Sequence, residues 1–391
     1  MDVIVIGGGL IGCTVARALA RTGRRVVVCD AGPGRAGAAS RAAAGMLAPQ
    51  MEDALGLLAP PGAPAARLAM LALCLASRER FGAFREALAA ESGEAIPLVT
   101  AGTLVVARGE AERAELERAA AAQVALGLHA AMLSGAEARG LEPGLAPDLA
   151  GPLWLPDDHQ VDAAQLTVAA AGAARREPRI AFAGDVTELL SAAGRMTGVR
   201  CGARQLAARQ VVVAAGAWSG ALAGLPLPLP VRPVKGQMLA LQLGAAPLVR
   251  TVVGRAVYAV PRGDGRVLLG ATVEEAGFDV AVRPAASEAL HAHGARLLPA
   301  LAAAPLLDSW AGLRPGTPDG LPILGADPEI EGLFYATGHF RNGILLAPIT
   351  GDVLTAAMAD TPFPLDVTPF SVARFRRDPR GDERASVVGT T

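Results

Sequence analysis

The chain has 391 residues and a formal net charge of −1, with 36 Lys or Arg against 37 Asp or Glu. No global basic field therefore exists to hold nucleic acid or an anionic membrane, and a hydrophobic content of 52% excludes a disordered chain. At about 150 residues per domain, the length accommodates roughly two to three domains with a sizeable core. The four cysteines, Cys13, Cys29, Cys74 and Cys201, form no Cys-x-x-Cys pair, so neither a disulfide framework nor a zinc ribbon is encoded. Met1 and Asp2 lead straight into Val3-Ile4-Val5-Ile6, without the basic and apolar regions of a secretory signal, so none is expected. The longest uncharged run, from Gln210 to Val231, is interrupted by Pro226, Pro228 and Pro230 and does not suit a spanning helix. A soluble, cytoplasmic protein is expected, without a membrane or nucleic-acid partner. Lys235, the one lysine, is followed by Gly236, which excludes a P-loop because Ser or Thr must follow its lysine.

In chain order, Val3 to Ile6 reads as a strand buried on both faces. Gly7-Gly8-Gly9-Leu10-Ile11-Gly12 matches G-x-G-x-x-G, and Leu10, Cys13, Val15, Ala16, Leu19 and Ala20 follow at helical spacing up to Gly23. Arg25 to Cys29 forms a second strand and closes on Asp30, at about the 20-residue interval such a unit needs. Gly7 is expected to permit the tight turn, Gly9 to admit a pyrophosphate, and Gly12 to let the helix pack on the strand. The helix N-terminus offers its N–H groups and positive dipole to the phosphates. Asp30 would accept hydrogen bonds from ribose hydroxyls and repel a 2′-phosphate. NAD and FAD both fit this unit.

Ser40-Arg41-Ala42-Ala43-Ala44-Gly45-Met46 has almost no side chains at its centre, so its main chain could approach a flat ring system. Residues 64–91, 109–126 and 284–304 read as helices. Thr103 to Ala107, Gln237 to Leu243, Ala256 to Val260 and Val267 to Thr272 read as strands without intervening helices, which suggests an antiparallel sheet. Gln210 to Trp218 and Leu333 to His339 are buried strands that end in small residues, including Ala215, Gly216 and Gly338. With the first unit they give three strand-to-glycine exits, as expected of one sheet whose carboxyl edge holds one long cofactor.

These segments resemble the D-amino-acid oxidase family of FAD-dependent amine oxidoreductases, within it most the glycine oxidases of thiamine biosynthesis. The resemblance rests on residues 3–12, on Ala42-Ala43-Ala44-Gly45-Met46-Leu47, and on Arg232-Pro233-Val234-Lys235-Gly236-Gln237. Gly270-Ala271-Thr272, Gly312-Leu313-Arg314-Pro315 and above all Gly338-His339-Phe340-Arg341-Asn342-Gly343-Ile344-Leu345-Leu346-Ala347-Pro348 complete it. It implies an α/β fold, α+β overall. A discontinuous Rossmann-like FAD domain (1–85, 150–222 and 308–375) would carry an antiparallel-sheet substrate domain (86–149 and 223–307), and 376–391 would form a flexible tail.

By the same resemblance FAD is held non-covalently, since no cysteine follows Cys201. The implied cofactor contacts are Gly7, Gly9, Leu10, Ile11, Gly12, Asp30, Ser40, Ala43, Ala44, Gly45, Met46, Val186, Ala215, Gly216, Trp218, Gly338, His339, Arg341, Asn342, Gly343 and Ile344. Arg314 would grip a substrate carboxylate as a two-pronged fork, with Tyr258 donating to the same group and Arg341 at the entrance or on the carboxylate. Met46 and Val273 would limit side-chain room. A helix opened by Pro348 and running to Met358 would bring its positive end toward the flavin.

The implied reaction moves a hydride from the α-carbon of glycine, sarcosine or a small D-amino acid to FAD, followed by reoxidation by dioxygen to peroxide. No side-chain base is required if the amine binds neutral, and the pocket offers no obvious catalytic carboxylate. Two alternatives stay open: a D-amino-acid dehydrogenase that feeds a quinone or carrier, and a flavin-binding subunit that needs a partner chain. A homo-oligomer is compatible with the family. No metal is expected, because His291 and His293 are two apart on a helix and His159 follows Asp157-Asp158 in what reads as a solvated loop.

Overall fold

The structure, a computed structural model, describes residues 1–32, 35–244 and 248–376. Of the tail expected over 376–391, Arg376 is instead held by Asp327 at 2.5 Å, and residues 377–391 lie outside the described residues. A six-stranded sheet runs in the order Ile323–Ala326, Leu333–Thr337, Gln210–Val213, Val3–Ile6, Val26–Cys29, Ile180–Ala183. All neighbours are parallel except Ile323–Ala326. The valine- and isoleucine-rich strands Val3–Ile6 and Val26–Cys29 are buried on both faces, as a parallel sheet covered on both sides requires. Helix Leu10–Arg21 packs between Ala163–Arg176 and Ala347–Met358. A β-carbon on Gly351 would come within 3.2 Å of Ala18 Cβ, so these two helices approach closely. The polar Thr22 and Gly23 stop the first helix, with the Gly23 N–H donating to Ala20 O at φ +90°.

A second sheet has eight strands in the order Leu306–Gly316, Arg232–Gln242, Arg266–Gly270, Tyr258–Pro261, Thr251–Val253, Thr103–Ala107, Gly151–Leu155, Ala131–Met132. The sequence reading is corrected in one respect: the sheet is mixed, because Thr251–Val253 and Thr103–Ala107 pair in parallel. Gly151–Leu155 and most of Leu306–Gly316 lie in stretches expected in the cofactor unit, yet they hydrogen-bond into this sheet. Period-2 alternation divides its faces. Leu239, Leu241, Ala259 and Leu269 pack under helix Pro284–Leu297. Met238, Ala240, Tyr258 and Val260 turn the other way, toward Ala44, Ala48 and Met51. The expected helices are found at Pro64–Ser92, Glu110–Ala125 and Pro284–Leu297, the last followed by a 3₁₀ turn over Pro299–Ala303.

A three-stranded meander, Val186–Ala192, Arg195–Cys201 and Arg204–Ala207, sits beside the parallel sheet. His159 opens the strand His159–Val161, pairs with Leu47 and is half-buried. It is therefore not in a solvated loop. Among the described residues no helix is long and apolar enough to cross a membrane, and no group of three or more potential metal ligands occurs.

Among the glycines of the described residues, Gly12 leaves the least room: a β-carbon there would stand 1.8 Å from the Gly7 carbonyl oxygen. Backbone cannot retreat as a side chain can, so Gly12→Ala is expected to cost about 3 kcal/mol of stability. A chemical-denaturation midpoint measures this; an unchanged midpoint would show that the helix and turn separate freely.

Candidate active site

Parallel pairing brings the carboxyl ends of Val3–Ile6, Gln210–Val213 and Leu333–Thr337 to one sheet edge. A cavity of ≈ 500 Å³ opens there, and its lining joins Asp30 and Val186 to Tyr258 and Arg314 of the second sheet. The volume lies in the range of cofactor and ligand pockets.

The first wall is the glycine turn. Gly7 adopts φ +109°, and a β-carbon there would meet Ala214 O at 2.3 Å. The Asp30 carboxylate accepts from the N–H groups of Gly8 and Gly32, both at 2.7 Å. Ser40 Oγ accepts from the Leu10 N–H at 3.2 Å. The second wall is the small-residue loop. Gly45 has φ +82°, and its β-carbon would fall 1.9 Å from Val161 O. The loop main chain is pinned from outside, by Trp310 Nε1 donating to Ala42 O at 3.0 Å and by an Arg262 N–H donating to Ala44 O at 2.7 Å. The third wall holds Ala215, Gly216 and Trp218. Phe278 stacks on the Trp218 ring at 5.5 Å and the Arg35 guanidinium lies 4.2 Å from it.

The fourth wall is residues 339–344. Burial pushes the His339 imidazole down to about 3, so it is neutral, and its Nε2 sits 2.9 Å from Thr350 Oγ1. His339 thus anchors the helix Ala347–Met358, which has Pro348 in its first turn. Phe340 takes φ +46° with its N–H donating to Pro315 O at 3.1 Å. A bulky side chain in that region signals strain of the kind found at functional sites.

Where the sheet closes the cavity, one Arg314 Nη donates to Thr272 O at 3.0 Å. The guanidinium lies flat over Gly236, whose β-carbon would stand 2.3 Å from both terminal nitrogens. Burial lowers the Arg314 pKa while the adjacent Tyr258 raises it, and an arginine stays charged through any such shift. Burial raises the Tyr258 hydroxyl, against the pull of Arg314 and Arg341, so it remains a protonated donor; it contacts Met238 Sδ at 3.3 Å. Arg341 Nε donates to both oxygens of Glu52, each at 3.1 Å, and the Glu52 charge raises its pKa.

The cavity therefore gathers Gly7, Gly9, Ile11, Asp30, Ser40, Ala43, Ala44, Gly45, Met46, Val186, Ala215, Gly216, Trp218 and His339. Arg341, Asn342, Gly343, Ile344, Tyr258 and Arg314 join them. Three expected cofactor contacts do not line it. The Leu10 side chain is buried in the core behind the turn, Gly12 is pressed against Gly7, and Gly338 (φ +74°) abuts Thr317. Val273 is also absent from the lining and is exposed. The lining also includes a carboxylate that the sequence reading did not name, Glu52. Met51 and Met238 were likewise missed. The signal available for Glu52 was Pro49, which opens the helix Pro49–Ala54 directly after the small-residue loop.

The family profile of FAD dependent oxidoreductases (DAO) matches residues 2–357. The chain belongs to that family. It is 36% identical over 379 residues to a glycine oxidase of Geobacillus kaustophilus, covering 95% of this chain and 97% of that one. The crystal structure of glycine oxidase from Geobacillus kaustophilus superposes with a TM-score of 0.88 over 95% of this chain and 98% of that one, at 36% identity. A bifunctional protein ThiO/ThiG of Synechocystis is 37% identical over 380 residues. Those residues are 96% of this chain and 54% of that protein, so the chain spans about half the length of this bifunctional relative.

The walls fit the FAD that the family uses. Gly7 has no room for a side chain, residues 42–45 offer mostly main chain, and Asp30 follows the second strand, where it would meet a ribose. Cys13 and Cys29, both buried beside the turn with thiols pushed up to about 12, are packing groups and not redox partners. Arg314→Lys replaces a planar fork by a point charge, and the KM for a carboxylate-bearing amine is expected to rise roughly 10- to 1000-fold. Steady-state kinetics on the folded, FAD-loaded variant measures this; an unchanged KM would remove Arg314 from substrate binding.

Proposed function

We propose that this chain is a flavin-dependent oxidase of glycine and similarly small amines, such as sarcosine and small D-amino acids, and that it serves the thiazole branch of thiamine biosynthesis. The observation that carries the reading is the Arg314–Tyr258 pair, a guanidinium and a phenol enclosed side by side in the cofactor cavity. The likeness to a glycine oxidase over nearly its whole length supports the same substrate class. The four free cysteines, three of them buried, suit a reducing cytoplasm.

FAD, which Gly7, Gly9, Asp30 and the main chain of residues 42–46 would hold, would supply the redox chemistry: uptake of a hydride from the substrate α-carbon and return of the electrons to dioxygen as peroxide. The protein's part is orientation and charge. Arg314 binds the substrate carboxylate, and Tyr258 donates its hydroxyl proton to the same group, so two directional contacts fix a molecule that has few other handles. Met46, Met51 and Met238 enclose the small remainder of the substrate in apolar surface. Neutral His339 keeps a further positive charge away from the amine. Glu52 is committed to Arg341, and hydride removal from an unprotonated amine needs no proton acceptor on the chain.

Peroxide measured against glycine consumed, with the purified chain under air, tests the proposal. One peroxide per glycine is the expected result. Substrate-dependent bleaching without peroxide would indicate a dehydrogenase with another acceptor, and a yellow protein that no small amine bleaches would contradict the reading.

A further inference from the structure

Glu52 is a carboxylate only 4% exposed that faces the substrate end of the cavity. Its placement is over-determined. Pro49 opens the short helix, and buried Asp158 accepts from the N–H groups of Met51 and Gln50 at 2.7 and 3.3 Å. Arg78 pairs with that same Asp158 at 3.2 Å, and the next residue, Asp53, is gripped by Arg67. A side chain needed only to fill space would not require this support. The charged groups that act on Tyr258 are Arg314, Arg341 and Glu52, and all four residues line the cavity. Two guanidiniums and one carboxylate give this end of the cavity a formal charge of +1, because Tyr258 and His339 are neutral. One substrate carboxylate balances it. A second would stand uncompensated in an apolar enclosure next to the Glu52 carboxylate, which is costly in a medium of low dielectric.

We propose that Glu52 sets substrate class by charge: it cancels Arg341, admits amines with a single carboxylate and rejects amines with two. The inference rests on the oxidase reading above and specifies its substrate. Glu52 acts through Arg341 and through the local field, as a specificity determinant and not as a proton acceptor.

The test compares iminodiacetate with its monoamide, N-(carbamoylmethyl)glycine, which has the same shape and one carboxylate fewer. In wild type, kcat/KM for the monoamide is expected to exceed that for the diacid by more than about tenfold, since like-charge juxtaposition is strongly unfavourable. In Glu52→Gln the ratio should fall to within about threefold of unity or invert, and in Glu52→Asp, which retains the charge, the wild-type ratio should persist. A purely structural role would scale both substrates together and leave the ratio unchanged, which would overturn the proposal. Wild type alone gives a second readout if Glu52→Gln does not hold FAD or if neither analogue turns over. Malonamate should then inhibit glycine oxidation more than about tenfold more tightly than malonate, and equal inhibition would overturn the proposal. A wild type that oxidises glycine but treats diacid and monoamide alike defeats this inference only. A wild type inert toward every one of these amines defeats the oxidase reading and this inference with it.

Discussion

The organising constraint is a guanidinium enclosed on the inner face of a sheet. Arg314 fits only because position 236 on the neighbouring strand has no side chain, and because the Thr272 carbonyl takes up one of its N–H groups. The Thr272 hydroxyl accepts from the Gln237 N–H and donates to Glu274, which pairs in turn with the chain's one lysine. Lys235 is fully buried, donates to Ala281 O at 2.6 Å and pairs with Asp279 and Glu274. The segment from Thr272 to Ala281 is thereby tied to the strand beneath it. A cation so confined, with main-chain carbonyls as its protein acceptors, is completed by an anion. The carboxylate of an amino acid is the anion that also presents a C–H bond one carbon away.

The second sheet and the parallel sheet divide the work. Alternation along Arg232–Gln242 and Tyr258–Pro261 sends Met238 and Tyr258 toward the cofactor unit while Leu239 and Ala259 pack under a helix. The parallel sheet contributes backbone: tight glycine turns at positions 7 and 45, and a loop whose carbonyls are pinned by Trp310 and Arg262 from outside. Rigid elements therefore carry both the small-residue surface and the enclosed guanidinium, which is the condition for holding two reactants in a fixed relation.

The cofactor unit was legible in the sequence because its signals are local. The strand, G-x-G-x-x-G turn, helix and closing Asp30 are consecutive, and backbone geometry alone dictates where glycine must stand. Tyr258 and Arg314 could be named because a resemblance supplied them, and the sheet then placed them together. What stayed hidden depends on pairing between distant segments. Nothing local in Thr251–Val253 reveals that it runs parallel to Thr103–Ala107, or that Gly151–Leu155 joins the same sheet. Glu52 was missed for the same reason: its partner Arg341 is remote in the chain, and a lone acid on a short helix ordinarily reads as solvated. Gly12 serves the close packing expected of it but does not line the cavity, Gly338 was assigned to the cofactor although it abuts Thr317, and Val273 proved exposed because the segment after Arg266–Gly270 leads it out of the cavity.

The most direct measurement is a titration of the FAD-loaded protein with acetate and, separately, acetamide, followed through the visible flavin spectrum. The two molecules share a shape and differ in charge. If the enclosed guanidinium is an anion site in contact with the cofactor cavity, acetate produces a saturable spectral change and acetamide produces none over the same range. Equal responses to both, or none to acetate, would contradict the account.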